Sequence, residues 1–185
     1  MTKPNIIILL IVIIAFLVVL CLIIYKYKSE KLENMLDKLE DSEDEIIVKL
    51  KKKLELLKSL TKTVETKYKV ESKIFEDINE VKIDNIDSFK NEELFNKCYQ
   101  EIKHIREDNS KVRETKAFKE ELSKYDDNEI NIISLRTFHN KYTLEYNNML
   151  NKFPYNIIAK IKKYKIKDLI EGKELDSNFN NDLEV

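Results

Sequence analysis

Few side chains of this sequence could take part in chemistry, and their spacing assembles no recognisable site. Cysteine occurs at Cys21 and Cys98 and histidine at His104 and His139, so no ligand cluster has the spacing of a structural zinc site. One glycine in 185 residues cannot supply the paired glycines of a phosphate-binding loop or a dinucleotide fingerprint. We therefore predict a protein that is not an enzyme, with no metal, no cofactor and no small-molecule substrate.

Glu71 is a carboxylate on an expected apolar helix face, between Tyr68 and Phe75 at helical spacing. An ionised carboxylate inside a helical bundle must be paired, or its pKa rises. Arg136 is the available cation, so we predict that Glu71 pairs with Arg136. The alternative is that Glu71 reaches the edge of the bundle and stays solvated.

Arg136 also belongs to a line of polar residues in the last long helical segment. This line consists of Glu129, Arg136, Asn140 and Asn147, with steps of seven, four and seven residues. We predict that Asn140 and Asn147 fix the register between helices. His139 lies on the adjacent apolar face, and we interpret it as a half-buried structural histidine rather than a ligand or a base.

Residues 6–24 form an apolar run of 19 residues without charge, Gly or Pro. A helix of this length spans a hydrocarbon core of about 30 Å, and only a helix can satisfy the backbone of a single segment in lipid. A cleaved signal peptide is disfavoured because no small-residue cleavage site follows the run. We predict a transmembrane helix over residues 6–25, and its spanning residues include Ile6, Leu10, Phe16, Leu20 and Ile24.

Charge predicts the orientation of this helix and limits the partners. Lys26, Lys28, Lys31 and Lys38 follow the apolar run, whereas Lys3 precedes it. The positive-inside rule then places residues 1–5 outside and the large C-terminal part in the cytoplasm. The whole chain has a net charge of −1, which argues against nucleic acid as a partner.

Apolar residues at steps of three and four predict the remaining helices. A first long helix starts at Ser42, which forms a capping-box pattern with Glu45, and a turn follows at 81–88. Its apolar face consists of Ile46, Leu50, Leu54, Leu57, Leu60, Val64, Tyr68, Phe75 and Ile78. The apolar face of a second helix is formed by Phe89, Leu94 or Phe95, Cys98, Ile102 and Ile105.

A third helical stretch runs from Val112 to Lys152, and Pro154 ends it because proline lacks an amide hydrogen. Its second half carries an apolar face made of Ile132, Leu135, His139, Tyr142, Tyr146, Met149 and Phe153. Local propensity leaves open whether Asp126 caps a new helix there or lies on a continuous one. A short last helix and a polar, aperiodic tail follow.

These elements predict an all-α protein in which an N-terminal transmembrane helix precedes an up-and-down antiparallel bundle of three to four long helices. We divide the chain into a juxtamembrane stalk at 26–41, a bundle at 42–165 and a disordered tail at 166–185. An extended dimeric coiled coil is the alternative architecture, but the apolar faces are interrupted and the connections are short.

The last long segment carries a spaced pattern formed by Glu129, Ile132, Arg136, His139-Asn140, Tyr146-Asn147, Phe153-Pro154, Asn156 and Ala159. With His139 in place of a Tyr, this pattern resembles that of the LemA family, bacterial proteins with one N-terminal membrane helix and a helical bundle. An upstream match runs through Leu50-Lys51-Lys52-Lys53, Glu55, Leu56-Leu57, Leu60, Thr63-Val64 and Glu71. The resemblance covers roughly 46–165. The sequence departs from the family pattern at Lys58-Ser59 and Thr66. The resemblance favours one continuous helix through Asp126.

The resemblance implies a single-pass protein of the bacterial cell membrane with no settled activity and no transferable catalytic residue. We expect an interaction or scaffold protein that contacts lipid through residues 6–25 and binds a membrane or cytoplasmic protein, or a second copy of itself. The alternative is a membrane-active protein that remodels or permeabilises the bilayer. We interpret Lys51-Lys52-Lys53 as a solvated face, while Lys160 to Lys167 could contact anionic lipid.

Overall fold

The computed structural model describes residues 3–109 and 115–170, without the side chains of residues 3–5 and 87–89. Within these ranges the chain forms five α-helices and one 3₁₀ helix and contains no strand. The elements are α1 (Lys3–Tyr68), α2 (Lys73–Glu80), the 3₁₀ helix Ile86–Asn91, α3 (Glu92–Asp108), α4 (Lys116–Leu150) and α5 (Tyr155–Lys162). The prediction of an all-α bundle with an apolar N-terminal helix is confirmed.

The predicted start of a helix at Ser42 is wrong, because α1 is one continuous helix of 66 residues. Buried residues at steps of three and four continue upstream of Ser42 through Leu32, Met35 and Leu39. Ser42 therefore occupies a position on the same buried face, and its hydroxyl bonds to His139 instead of capping a helix. A capping-box pattern inside an uninterrupted apolar repeat does not mark a helix start.

The first long helix also ends earlier than the apolar repeat predicts. α1 stops at Tyr68, and Lys69 has a positive φ of 57°, a conformation uncommon for a residue other than glycine. The chain becomes helical again at Lys73, after Ser72 in an extended conformation. Phe75 and Ile78 of α2 are nevertheless fully buried, as their spacing predicts.

Contacts within the chain separate it into two compact units, the first formed by residues 1–39 and 141–168 and the second by 40–140 and 169–185. In the second unit, α1 and α4 run antiparallel. Tyr68 bonds to Thr115, Asn128 to the carbonyl of Lys49, and His139 to Ser42. Its large core includes Ile46, Leu50, Leu57, Leu60, Val64, Phe75, Ile78, Phe95, Cys98, Ile102, Phe118, Leu122, Tyr125 and Ile132.

The first unit has a smaller core, which draws on the segment that the sequence led us to describe as a stalk. Three of its core residues come from residues 26–41 of α1, and the others from the end of α4 and from α5. They are Leu32, Met35, Leu39, Tyr146, Met149, Leu150, Tyr155, Ile158 and Ala159. Packing in this part of the chain therefore begins ten residues before Ser42.

α4 is a single helix from Lys116 to Leu150, so Asp126 does not begin a new helix. Its end agrees with the predicted stop, since Pro154 stands at the N-cap of α5 and follows a cis peptide bond. Val112 and residues 171–185, which include most of the predicted tail, lie outside the described residues.

Candidate functional site

Four ionised side chains meet inside the second unit. The ammonium of Lys53 on α1 lies 2.5 Å from the Glu129 carboxylate on α4 and 4.0 Å from the Glu92 carboxylate on α3. The Arg136 guanidinium on α4 lies 3.5 Å from the other oxygen of Glu92. Lys53 and Arg136 are fully buried, and the two carboxylates are mostly buried. We call these four residues the ion quartet.

The surroundings of the ion quartet help to stabilise its charges. Two cations face two carboxylates, so the group has no net formal charge. The Lys53 ammonium also lies 5.7 Å from the ring centroids of both Phe95 and Tyr125, within the range of a cation–π interaction. Glu92 is the first residue of α3, where the helix dipole favours a negative charge.

The predicted pair of Glu71 and Arg136 is not formed. Arg136 pairs with Glu92, whereas Glu71 is exposed to solvent. The helix ends at Tyr68, so the chain at Glu71 no longer follows the periodicity that placed its carboxylate on the buried face. Glu129, which belongs to the predicted polar line, pairs with Lys53, a partner that the sequence did not suggest.

Lys53 was missed because it belongs to a run of three lysines that we interpreted as a solvated face. Lys51 and Lys52 are exposed, but Lys53 is fully buried. The signal was available in the spacing, since Lys53 lies between Leu50 and Leu57 at steps of three and four. A cation at a position of the apolar repeat has to find a partner inside the bundle.

His139 is fully buried rather than half-buried. Its Nδ1 atom lies 2.9 Å from the Ser42 hydroxyl, and its Nε2 atom lies 3.8 Å from a carboxylate oxygen of Glu43. Ser42 and Glu43 belong to α1 and His139 to α4, so this polar group connects two helices of the second unit. A structural role for His139 stays a prediction.

Asn147 holds the main chain of the segment after α5. Its amide nitrogen donates to the Lys167 carbonyl at 2.8 Å, and its amide oxygen accepts from the Lys167 backbone N–H at 2.9 Å. The neighbouring Tyr146, whose side chain is buried, donates its hydroxyl to the Lys165 carbonyl at 3.1 Å. Burial raises the pKa of Tyr146, so this hydroxyl remains a donor at neutral pH.

Asn140 makes the same two bonds with another residue. Its amide nitrogen donates to the Ile170 carbonyl at 2.9 Å, and its amide oxygen accepts from the Ile170 backbone N–H at 2.9 Å. The predicted role of Asn140 and Asn147 in helix register is therefore replaced by a different one. Both asparagines bind the polar backbone groups of a non-helical segment, which needs those partners because no helix supplies them.

The residues around Pro154 lie at the end of the first unit where α4 turns into α5. Phe153, predicted on the apolar face, is instead 78 % exposed because α4 ends three residues before it. Asn156 lies in the first turn of α5 and is half-buried, and its backbone N–H donates to the Lys152 carbonyl. The sequence did not predict this exposed aromatic residue.

The apolar run of α1 is exposed over its whole length. Among the described helices, α1 is the one long and apolar enough to cross a membrane, and its most apolar stretch has no buried residue. The predicted spanning residues are each exposed by 43 to 66 %, namely Ile6, Leu10, Phe16, Leu20 and Ile24. The run is thus a candidate membrane span by length and composition.

The described residues contain no group of three or more His, Cys, Asp and Glu side chains that could hold a metal ion. Cys98 is buried in the large core, and burial raises the pKa of its thiol to about 12, so the thiol stays protonated and unreactive at neutral pH. Burial likewise raises the pKa of Tyr125. The arrangement can hold helices and backbone together through hydrogen bonds and ion pairs.

Comparison with known proteins gives one match. The model of the LemA family matches residues 30–182, which include both cores, the ion quartet and both asparagines. No curated protein sequence and no solved structure matches the chain.

Proposed function

The chain belongs to the LemA family, and we propose that it is a membrane-anchored helical module that binds a protein partner. The observation that carries this proposal is the contrast in exposure between the two parts of α1. Residues 6–24 of this helix are exposed and apolar, whereas Leu32 and later residues on one face are buried in packed cores. One helix therefore joins a candidate anchor to the folded part of the chain.

The exposure of the apolar run supports anchoring. A continuous apolar surface of this size is unfavourable in water and favourable in hydrocarbon, and the run has the length of a bilayer core. The lysines that follow the run favour a cytoplasmic location for the rest of the chain in a bacterial cell. We propose this orientation together with the anchor.

The outward face of α4 supports the binding of a protein partner. Ile130 is 58 % exposed and Phe138 is 43 % exposed, and both belong to the second unit. They lie eight residues apart, about 12 Å along the helix, with exposed Ser134 between them. Apolar and aromatic side chains surrounded by polar ones are typical of the centre of a protein interface.

In-cell crosslinking of the full-length protein tests the proposed interaction. We expect a specific captured protein to be lost when Ile130 and Phe138 are both replaced by Ser, and to be retained with Ser134→Ala as the matched control. Circular dichroism should show that the helical content of both variants is unchanged. Identical captured proteins from both variants would contradict an interaction through this face, and capture of other copies of the chain would indicate a homo-oligomer.

A second candidate function is association with lipid, as in a protein that remodels or permeabilises the bilayer. It is favoured by α5, where Ile157 is 48 % and Ile161 is 62 % exposed beside the exposed Lys160 and Lys163. Mixed apolar and basic residues are typical of helices at a membrane surface. Dye release from anionic vesicles by the full-length protein would support permeabilisation, and intact vesicles at full protein insertion would exclude it.

A further inference from the structure

We propose that the turn between α4 and α5 enters the membrane beside the anchor, and that the groove between this turn and α1 holds an acyl chain of an anionic phospholipid. The inference rests on the proposed anchoring of α1. It adds a second, specific contact with lipid to that function.

The groove is a cavity of about 660 Å³ within the first unit. One wall is formed by residues of the apolar run, among them Leu17 and Cys21, and the other by Phe153, Ile157 and Ile158. Lys28 is the one charged residue that lines it. An almost wholly apolar groove of this size is suited to a hydrocarbon chain.

The register between α5 and α1 places the turn at the level of the apolar run. The Lys28 ammonium lies 5.1 Å from the ring centroid of Tyr155, at the start of α5. At the other end of α5, Lys162 forms an ion pair with Glu33. α5 therefore runs along α1 away from the apolar run. Phe153, which precedes α5, lies beside the last turns of that run.

The exposed side chains at this position favour lipid as the surrounding medium. Phe153 is 78 % exposed, and Ile157 follows it on the outside of α5. Such side chains gain free energy when they leave water for hydrocarbon. Because α1 brings the hydrocarbon core to the same level, Phe153 and Ile157 reach it without a change in the fold.

Charge complementarity identifies the lipid as anionic. Residues 150–168 contain six lysines and one acidic residue, Asp168. Lys152, Lys160, Lys163 and Lys165 are all exposed. Long lysine side chains can extend from an interfacial helix to phosphate groups, and each basic residue near an anionic surface strengthens the attraction.

A second copy of the chain fits the groove less well than lipid does. Helices that pack against each other in a membrane rely on small residues that allow close approach. The apolar run contains one Ala, at position 15, and no Gly, Ser or Thr. Its bulky branched side chains leave a space that a flexible acyl chain fills more readily than another helix.

Tryptophan fluorescence tests the proposal cleanly, because the chain contains no Trp of its own. The full-length Phe153→Trp protein is reconstituted into vesicles of phosphatidylglycerol with brominated acyl chains, which quench Trp on contact. Phe16→Trp, within the apolar run, reports on the anchor. Tyr142→Trp is the negative control, because Tyr142 contacts Lys38, which lies 14 residues or about 21 Å beyond Ile24 along α1.

We expect bromine to quench Phe153→Trp to an extent comparable with Phe16→Trp, and to leave Tyr142→Trp nearly unchanged. Quenching of Phe16→Trp without quenching of Phe153→Trp would overturn the lipid groove and leave the anchor in place. Absence of quenching at Phe16→Trp would overturn the anchoring itself. A blue-shifted but unquenched Phe153→Trp would indicate that protein, such as a second copy, fills the groove.

The anionic preference has its own test in the same vesicles. We expect stronger quenching of Phe153→Trp by brominated phosphatidylglycerol than by brominated phosphatidylcholine at equal amounts in a mixed membrane. Replacing Lys160 and Lys163 by Gln should reduce that difference, while Lys52→Gln, far along α1, should not. Equal quenching by the two lipids in the protein that keeps its lysines would overturn the assignment of an anionic lipid.

Discussion

The two cores of the molecule handle polar groups in different ways. The large core of the second unit surrounds the ion quartet, in which Lys53 and Arg136 are fully buried. The described buried polar residues of the first unit are the uncharged Ser29 and Thr143. There, Asn147 and Tyr146 hold the backbone of a neighbouring segment.

The two cores therefore differ in the contacts that determine how they are assembled. A buried ion has a large cost when its partner is missing, so the ion quartet penalises any arrangement of α1, α3 and α4 that separates its members. Side-chain amides that bind backbone carry no charge and recognise no particular side chain. Their loss has a smaller cost and affects mainly the segment that they hold.

The largest effect is expected for Lys53→Met. The substitution leaves Glu92 and Glu129 mostly buried with one cation for two carboxylates, and breaking a buried ion pair lowers the free energy of unfolding by about 3–5 kcal/mol. Lys52→Met at an exposed site is the matched control and should have little effect. Denaturant unfolding of the full-length protein in detergent gives both values. Equal stabilities of the two variants would show that the ion quartet does not stabilise the large core.

A smaller and more local effect is expected for Asn147→Ala. The substitution removes two hydrogen bonds to Lys167, and at the usual 0.5–1.5 kcal/mol each it destabilises the held segment by about 1–3 kcal/mol. Hydrogen exchange should show faster exchange of the Lys167 amide, with amides of the large core unchanged. The exposed neighbour Asn148→Ala is the control, and a response of both variants alike would contradict the assigned contact.

Two Tyr→Phe substitutions compare a partnered hydroxyl with one that has no hydrogen bond within the described residues. Tyr146→Phe removes the bond to the Lys165 carbonyl and should lower the free energy of unfolding by about 1 kcal/mol. The buried Tyr125 hydroxyl has no such partner there, so Tyr125→Phe should be neutral or stabilising. Thermal unfolding of both variants measures the difference. Comparable destabilisation by the two substitutions would contradict the comparison.

The smallest effect is expected at the partly exposed ion pair between Glu33 and Lys162. The hydrogen bond from Lys162 lowers the pKa of Glu33. A lowered pKa in the folded state adds stability above the ordinary carboxyl pKa, and that stability disappears as the pH falls through the lowered value. The pKa of Lys162 is raised by the same bond, so its contribution is present below the ordinary lysine pKa and is lost in strong alkali.

Glu33→Gln should therefore lower the melting temperature slightly at neutral pH and not at acid pH below the lowered pKa. Solvent screening keeps the neutral-pH difference small. Glu30→Gln, at an exposed position one turn earlier, provides the control. A difference that grows on acidification would have the wrong sign for this ion pair.

The sequence predicted those parts of the fold that follow from regular spacing. The apolar run, the buried face from Ile46 to Val64 and the stop at Pro154 all depend on local periodicity or on proline geometry, and the structure contains each of them. The extra helical length before Ser42 was also encoded by Leu32, Met35 and Leu39. We placed the helix start at the capping pattern of Ser42 and Glu45 and did not consider the spacing of these three residues.

The site depends on contacts between distant segments, and these were less predictable. The break at Lys69 has no Gly or Pro to mark it, and it removed Glu71 from the position that its spacing implied. Glu92 is a partner of Arg136 because α3 begins at Glu92. No local sequence pattern predicts the first residue of a helix that accurately. The partners of Asn140 and Asn147 lie 30 and 20 residues away in a segment without helical periodicity.

Because α1 is continuous, the direction in which its later residues face is fixed relative to the apolar run. Between residues 5 and 68 the helix contains no Gly or Pro that would interrupt it. One residue inserted between Tyr25 and Ser29 would rotate the small core by about 100° and move it by about 1.5 Å relative to the apolar run. The same insertion would turn Phe153 away from the residues of the apolar run that line the groove, while the contacts among the residues of the small core would be kept. The number of residues between the apolar run and Leu32 therefore determines on which side of the apolar run the turn before α5 lies.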